Sequence, residues 1–165
     1  MYSRGQGIRH IGVGGHHKNS VAYNAIKNVV IIDRTMMIRA AIMWPDASYN
    51  ILWPMDMDHA IHLHNHTPYI SSGISPEEFC TSSKSSHSYL QNDHPWGFPA
   101  YVLEPRLQYM NKFPKWIPRS RRAQYLGASP MHAITVGLIG NLHNGNISPQ
   151  FHLVFGEYLE TVHTG

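Results

Sequence analysis

The chain has 165 residues, of which 42% are hydrophobic and 14% charged, and its formal net charge is +3 when its 13 histidines are neutral. This length accommodates one domain or two small ones, and the hydrophobic content excludes wholesale disorder. The mild basic balance permits an anionic partner but does not require one.

Cysteine content and apolar patterning limit where the protein can reside. The single cysteine, Cys80, excludes an internal disulfide, and no secretory signal peptide opens the sequence, so we expect an intracellular, reducing compartment. The longest apolar stretch, residues 28–43, is interrupted by Asp33, Arg34 and Arg39. It falls short of the ~18 apolar residues of a membrane span, so no membrane partner is predicted.

The first half of the chain predicts one short strand and two long helices. Residues 9–15 are typical of a strand that enters a glycine-rich loop. Apolar residues at three- and four-residue steps predict a helix over residues 19–44, which ends before Pro45. A second helix is expected over about residues 49–66, with Pro54 inside it or at its start.

The second half predicts a polar linker and then short strands. Ser75-Pro76-Glu77-Glu78 favours one short helix within residues 69–92, because serine caps, proline opens and acids stabilise the first turn of a helix. From Asp93 onward the pattern is typical of β-structure, and Asn144-Gly145 predicts a hairpin turn. Several short strands over ~70 residues predict a small barrel. The predicted strands are residues 100–103, 123–127, 133–139 and 150–155.

Short motifs follow one another along nearly the whole chain in a specific order. They are Gly12-Val13-Gly14-Gly15-His16-His17, Leu52-Trp53-Pro54, Asn65-His66-Thr67-Pro68, Ser75-Pro76-Glu77-Glu78, Trp96-Gly97-Phe98-Pro99, Lys115-Trp116, Pro118-Arg119-Ser120-Arg121-Arg122 and Ile147-Ser148-Pro149-Gln150. With this order and spacing the chain resembles the integrase region of copia-class retrotransposon polyproteins.

The resemblance implies an α+β fold in three parts. Residues 1–68 would be the C-terminal helices of an RNase H-like integrase core, residues 69–91 a linker with one short helix, and residues 92–163 a small SH3-like β-barrel. The sheet on which the core helices pack would lie upstream, so we expect exposed apolar helix surface and association with other molecules. A role in DNA integration, contacts with the rest of the polyprotein and a nuclear location follow from the resemblance alone.

The catalytic residues of the family are missing or replaced. Its two aspartates lie upstream of this chain, and Tyr23 stands where the family has the glutamate that completes the site for two Mg²⁺ ions. A neutral phenol cannot replace an anionic ligand. Asp56 and Asp58 would point to different helix faces, and Asp33 lies far along the helix from Tyr23. We therefore predict a truncated, non-catalytic fragment without a cofactor; the alternative is an active metal-dependent integrase or nuclease domain of a longer gene.

The second predicted helix carries three histidines that invite a metal hypothesis. His59, His62 and His66 would share one helix face, which is a feasible zinc geometry. The alternative is that they pack against a neighbouring element with their ring nitrogens bonded to backbone or water. The family usually carries aromatic and apolar residues in this segment, so we predict no metal site.

The strongest charge cluster lies near the middle of the predicted barrel. Six of the 13 lysines and arginines fall between residues 106 and 122, among aromatic residues. Such a patch can neutralise phosphates while the aromatic rings stack on bases. Two alternatives stay open: a solvated loop with Trp116 closing the end of the barrel, and a host module for protein contacts. The predicted nucleic-acid-binding residues, with DNA as the partner, are Arg106, Lys112, Lys115, Trp116, Arg119, Arg121 and Arg122.

Overall fold

The computed structural model of the chain describes residues 15, 19–47, 50–84, 90, 93–108, 112, 114–133 and 135–156. Helices precede a five-stranded antiparallel sheet, which confirms the α+β class. The predicted strand at residues 9–15 lies outside the described residues except for Gly15. Most of the linker beyond Lys84 also lies outside them.

Two long helices form where the apolar spacing predicts them. Helix α1 spans Ser20–Met43, in agreement with the predicted bounds. A 3-10 turn over Asn50–Leu52 leads into helix α2, Trp53–His66, so this helix begins later than predicted. Pro54 lies in its first turn, where the missing N–H breaks no helical hydrogen bond.

A short helix, α3, spans Pro76–Thr81 and confirms the predicted helix start. The Ser75 side chain accepts from the Glu78 N–H at 3.2 Å, and the Glu78 carboxylate accepts from the Ser75 N–H at 2.9 Å. This reciprocal capping box satisfies two N–H groups that a helix start otherwise leaves without partners.

The sheet has the strand order β4-β3-β2-β1-β5, with antiparallel pairing throughout. The connection from β1 to β2 contains a short helix, α4, at Pro105–Gln108. The strands are β1 Pro99–Leu103, β2 Ser120–Ala128, β3 Gly137–Asn141, β4 Ile147–Gln150 and β5 Leu153–Phe155.

Two of the predicted strands are wrong in part. The strand predicted over 133–139 begins only at Gly137, because the Val136 N–H turns back to the Ala133 carbonyl at 2.8 Å. The strand predicted over 150–155 is divided between β4 and β5. The hairpin turn at Asn144-Gly145 is confirmed: it joins β3 to β4, and Gly145 has φ +68°.

The division between β4 and β5 forces the sheet to curl. These strands occupy opposite edges, four strand spacings or ~19 Å apart in a flat sheet. The chain passes from Gln150 to Leu153 through only two residues, which span ~10 Å at most. Across the inside of the curl, a Cβ placed on Gly137 of β3 would lie 2.8 Å from the Leu153 side chain. A larger residue at this position would have to displace the Leu153 side chain or the Tyr125 ring.

The curled sheet has a core on each face. The inner face carries a cluster closed by Phe98, Leu153 and Phe155. On the outer face, Leu126 packs with residues from the helices and the preceding loop. The inner cluster contains Ala100, Val102, Ala123, Tyr125 and Ile139, and the outer cluster contains Ala40, Leu52, Trp96 and Leu126.

Trp44, at the end of α1, anchors the helices to the sheet. Its indole N–H donates to the Gly97 carbonyl at 2.7 Å, and the contact is buried. Gly97 has φ +77°, and a Cβ there would lie 3.3 Å from the Ala40 Cβ. A glycine at this position therefore allows both the backbone turn and the close approach of α1.

The side of α1 that faces away from the outer core exposes apolar residues, as the resemblance led us to expect. Val21 is 84% exposed and Ile42 is 70% exposed. Within the described residues, no helix is long and apolar enough to cross a membrane. Further exposed apolar side chains on this helix are Ile26, Val30, Ile31 and Ile38.

Replacing Leu126 with alanine should lower the free energy of unfolding by ~2–5 kcal/mol, because the cavity would lie in the core that helices and sheet share. Chemical denaturation followed by circular dichroism and tryptophan fluorescence measures this loss. Met131→Ala, at an 86% exposed position, is the control and should change stability little. Equal stability of both variants would contradict the shared core.

Candidate functional site

The predicted basic segment forms most of the connection between β1 and β2. Leu103 pairs with Ser120 at its base, and the Glu104 N–H donates to the Arg119 carbonyl at 2.9 Å. The backbone therefore leaves the sheet and returns at one place, and we call the described residues between, 104–108, 112 and 114–119, the basic loop. It carries four exposed cations: Arg106, Lys112, Lys115 and Arg119.

Trp116 lies on the surface of the basic loop and is 91% exposed. The alternative in which this ring closes the end of a barrel is therefore wrong. Lys115 Nζ lies 5.8 Å from the centroid of the indole ring, within cation–π range. Because the indole ring is almost fully exposed, its face is free to stack on a ligand.

The cations of the basic loop lack acidic partners among the described residues, where each ion pair joins a histidine to a carboxylate. Within residues 104–122, Glu104 at the base is the sole acidic residue. The loop is therefore a region of positive charge that the described part of the chain does not neutralise.

Arg121 and Arg122 continue into β2, where successive side chains point to opposite faces of the sheet. Arg121 pairs across the sheet with Val102 of the inner core. Arg122 lies on the outer face, with its guanidinium carbon 5.9 Å from the centroid of the Trp44 ring. The seven predicted residues therefore do not form one flat surface, and two of them lie beyond the loop.

Three of the four histidines of α2, His59, His62 and His66, share one face of the helix, as their spacing predicts, and each lies near a carboxylate. Nε2 of His59 and Nε2 of His62 lie 3.9 and 4.0 Å from Asp93 Oδ2. His66 Nε2 lies 2.6 Å from Glu77 Oε2. No group of three side chains that could hold a metal ion occurs among the described residues.

Burial is the main cause that lowers the pKa values of His59 and His62. The negative charge of Asp93 opposes this effect at both rings, and the neighbouring histidine reinforces it. Asp93 accepts a hydrogen bond from the Tyr125 hydroxyl at 3.1 Å through its other oxygen. For His59 and His62, these contacts and the lowered pKa values favour the packed alternative over a zinc site.

Asp33 of α1 and Asp56 of α2 form a carboxyl pair that sequence spacing did not reveal. Asp56 is fully buried, and neither of its oxygens accepts a hydrogen bond from the N–H and O–H groups of the described residues. Burial, then the charge of Asp33 and the hydrogen bond with Asp33, raise the pKa of Asp56 to about 8. At neutral pH, Asp56 therefore keeps its proton.

This pair is a poor match for the metal site that the resemblance implies. Burial also raises the pKa of Asp33, although the hydrogen bond with Asp56 opposes that shift. A carboxyl group that keeps its proton must release it before it binds Mg²⁺. Tyr23, at the position of the family's glutamate, is 68% exposed and lies ~15 Å along the helix axis from Asp33.

Comparison with known proteins identified no relative: no family model, no curated protein and no solved structure matches the chain.

Replacing Asp56 with asparagine should remove a pH dependence of stability. The folded pKa of about 8 exceeds the unfolded value of 3.8, so the stability that the proton provides is complete below the unfolded pKa and is lost as the pH rises through the folded pKa. Asparagine has no proton to lose. We therefore expect Asp56→Asn to raise Tm by several degrees above pH 8 and to change it far less in acid.

Thermal unfolding across this pH range, with exposed Asp58→Asn as the control, provides the measurement. The pKa values of His59 and His62 are lowered, so these two residues make stability rise with pH below their unfolded pKa. This contribution is the same in wild type and variant, so it cancels when their Tm values are subtracted. A constant Tm difference at all pH values would show that Asp56 is not protonated in the native state.

Proposed function

We propose that this chain is a non-catalytic fragment of a copia-class integrase that binds nucleic acid through the basic loop. Its helices would be the end of an RNase H-like core, and its curled sheet an SH3-like barrel. The ordered motifs support the family, and an antiparallel sheet of short strands curled about its own core is compatible with a small barrel. The proposal includes an intracellular and nuclear location, where DNA integration takes place.

The observation that carries this function is the exposed Trp116 among unneutralised cations. Lysine and arginine side chains neutralise phosphates, and an exposed indole offers a face for a base or sugar. Trp116 and Lys115 are adjacent and in cation–π contact, so a ligand would meet both groups at one place. The alternative of a solvated loop whose Trp116 plugs the barrel end does not account for a tryptophan that is 91% exposed.

Exchanging Lys115 and Arg119 for glutamine should weaken binding to DNA and flatten its dependence on salt. Each phosphate contact contributes about −0.9 to the log–log slope on duplex DNA and about −0.7 on single strands, so losing both contacts should reduce the slope by ~1–2. Fluorescence anisotropy with the full chain measures both quantities. The full chain is used because helices and sheet share the outer core.

The matched control is Lys27→Gln with Arg34→Gln, which removes the same charge from exposed positions on α1. Equal weakening by control and test variants would mean that net charge alone attracts DNA. A flat response of the wild type to salt would exclude phosphate binding as the function.

The same proposal holds that the chain does not catalyse strand transfer. The purified protein should give no DNA joining or cleavage with Mn²⁺, and Tyr23→Glu should not restore either reaction. A single carboxylate at position 23 does not supply the anions that two metal ions need. A strand-transfer and nuclease assay with gel readout measures this, and metal-dependent activity of the wild type would favour the alternative of an active enzyme.

A second candidate role, assembly with the rest of the polyprotein or with another copy, is favoured by the outer side of α1. Ile31, Ile38 and Ile42 are each more than half exposed there. Apolar surface of this kind tends to mark contact with another protein. Sedimentation of the Lys115→Gln, Arg119→Gln variant separates the two roles, since neutralising the basic loop should leave association through α1 unchanged.

A further inference from the structure

The helices cover only part of the outer face of the sheet. Gln124 and Leu126 of β2 lie beneath α1 and the Trp96 loop, and both are buried. Toward the other end of the same strand, Ser120 is exposed and Arg122 is partly exposed. The open half of this face lies at the end of the sheet from which the basic loop projects.

A groove with a volume of about 580 Å³ runs across this open half. Its floor follows the pairing of Val154 with Tyr101, and of Leu103 with Ser120, across three strands. Phe151 and His152, at the bend where the chain changes edges, form one wall. Phe151 is 63% exposed and Val154 is 67% exposed, so apolar and aromatic groups face the solvent here.

The groove is continuous with the basic loop. The Leu103 N–H approaches the His152 carbonyl at 3.4 Å, and the next residue, Glu104, closes the base of the loop on Arg119 at 2.9 Å. Leu103 also pairs with Ser120, which lines the groove directly after Arg119. Phe151, His152 and Arg119 at the base of the basic loop therefore lie at one end of the sheet.

We infer that this groove binds single-stranded nucleic acid, with bases stacked on Phe151 and His152 and phosphates held by the cations at the base of the basic loop. The inference rests on the proposed function and specifies its ligand. Trp116 would stack a further base beyond the groove. A volume of 580 Å³ falls in the range that encloses drug-sized molecules and is larger than one planar base requires.

Single strands fit this surface better than a duplex because a ring can stack only on a base whose flat face is free. In a duplex those faces are covered by neighbouring base pairs, and a protein meets phosphates and base edges instead. Grooves that combine positive charge with aromatic platforms are typical of single-strand binders. An exposed phenylalanine ring contributes nothing to a contact with phosphates alone.

The test compares the full chain on an oligothymidylate of roughly 16 nucleotides, on an oligouridylate of equal length, and on a mixed-sequence duplex. We expect the single strands to bind more tightly than the duplex at equal salt. Phe151→Ala should weaken single-strand binding roughly 5- to 100-fold, as expected when one stacking partner is lost, and change duplex binding less than about 2-fold. The two single strands show whether DNA or RNA is preferred.

The matched controls are Phe79→Ala, which removes an 81% exposed phenylalanine from α3, and Trp53→Ala, which removes a 55% exposed tryptophan from α2. Both should bind as the wild type does, whereas Trp116→Ala should weaken binding. If the duplex binds as tightly as the single strands and Phe151→Ala has no effect, the groove is not a single-strand site, although nucleic-acid binding stands. If none of the three ligands binds, the proposed function fails as well.

Discussion

Between Gln150 and Leu153 the chain moves from one edge of the sheet to the other in two residues, and the rest of the sheet follows from this passage. Two residues cannot span the ~19 Å between the edges of a flat five-stranded sheet, so the strands must wrap around the inner core. The wrapping brings Gly137 so close to Leu153 that a Cβ at position 137 would collide with the leucine side chain. It also leaves Phe151 exposed at the bend, so the same passage that curls the sheet creates one wall of the groove.

The helices and the sheet depend on each other through a second, smaller set of contacts. Trp44 bonds to Gly97, and Leu126 packs against the residues that surround this hydrogen bond. One side of α1 packs on α2 and on the outer core of the sheet, and its other side exposes apolar residues to solvent. The protein therefore presents two different surfaces, a charged and aromatic one at the sheet edge and an aliphatic one along α1, and they suit different classes of partner.

Local signals in the sequence predicted what local interactions determine. The bounds of α1 follow from its apolar spacing, α3 follows from the capping box begun by Ser75, and the hairpin follows from Asn144-Gly145. Features that join distant segments were not predictable in this way. The Asp33–Asp56 pair depends on how two helices cross, and the separation of β4 from β5 depends on which edge each strand joins, neither of which is encoded in spacing along one element. The basic residues were found from composition, but the groove beside them was not, since Tyr101 and Val154 meet only through strand pairing.

The placement of Pro149 in β4 has a consequence for the behaviour of the protein at high concentration. Strand β4 spans four residues and lies at an edge of the sheet, and Pro149 within it pairs with Leu138 of β3. Proline has no N–H to offer an incoming strand, and a short edge provides little length for one to align on. Extension of the sheet from molecule to molecule, the first step toward a fibril, is therefore disfavoured at the β4 edge, even though the chain carries few charges to keep copies apart.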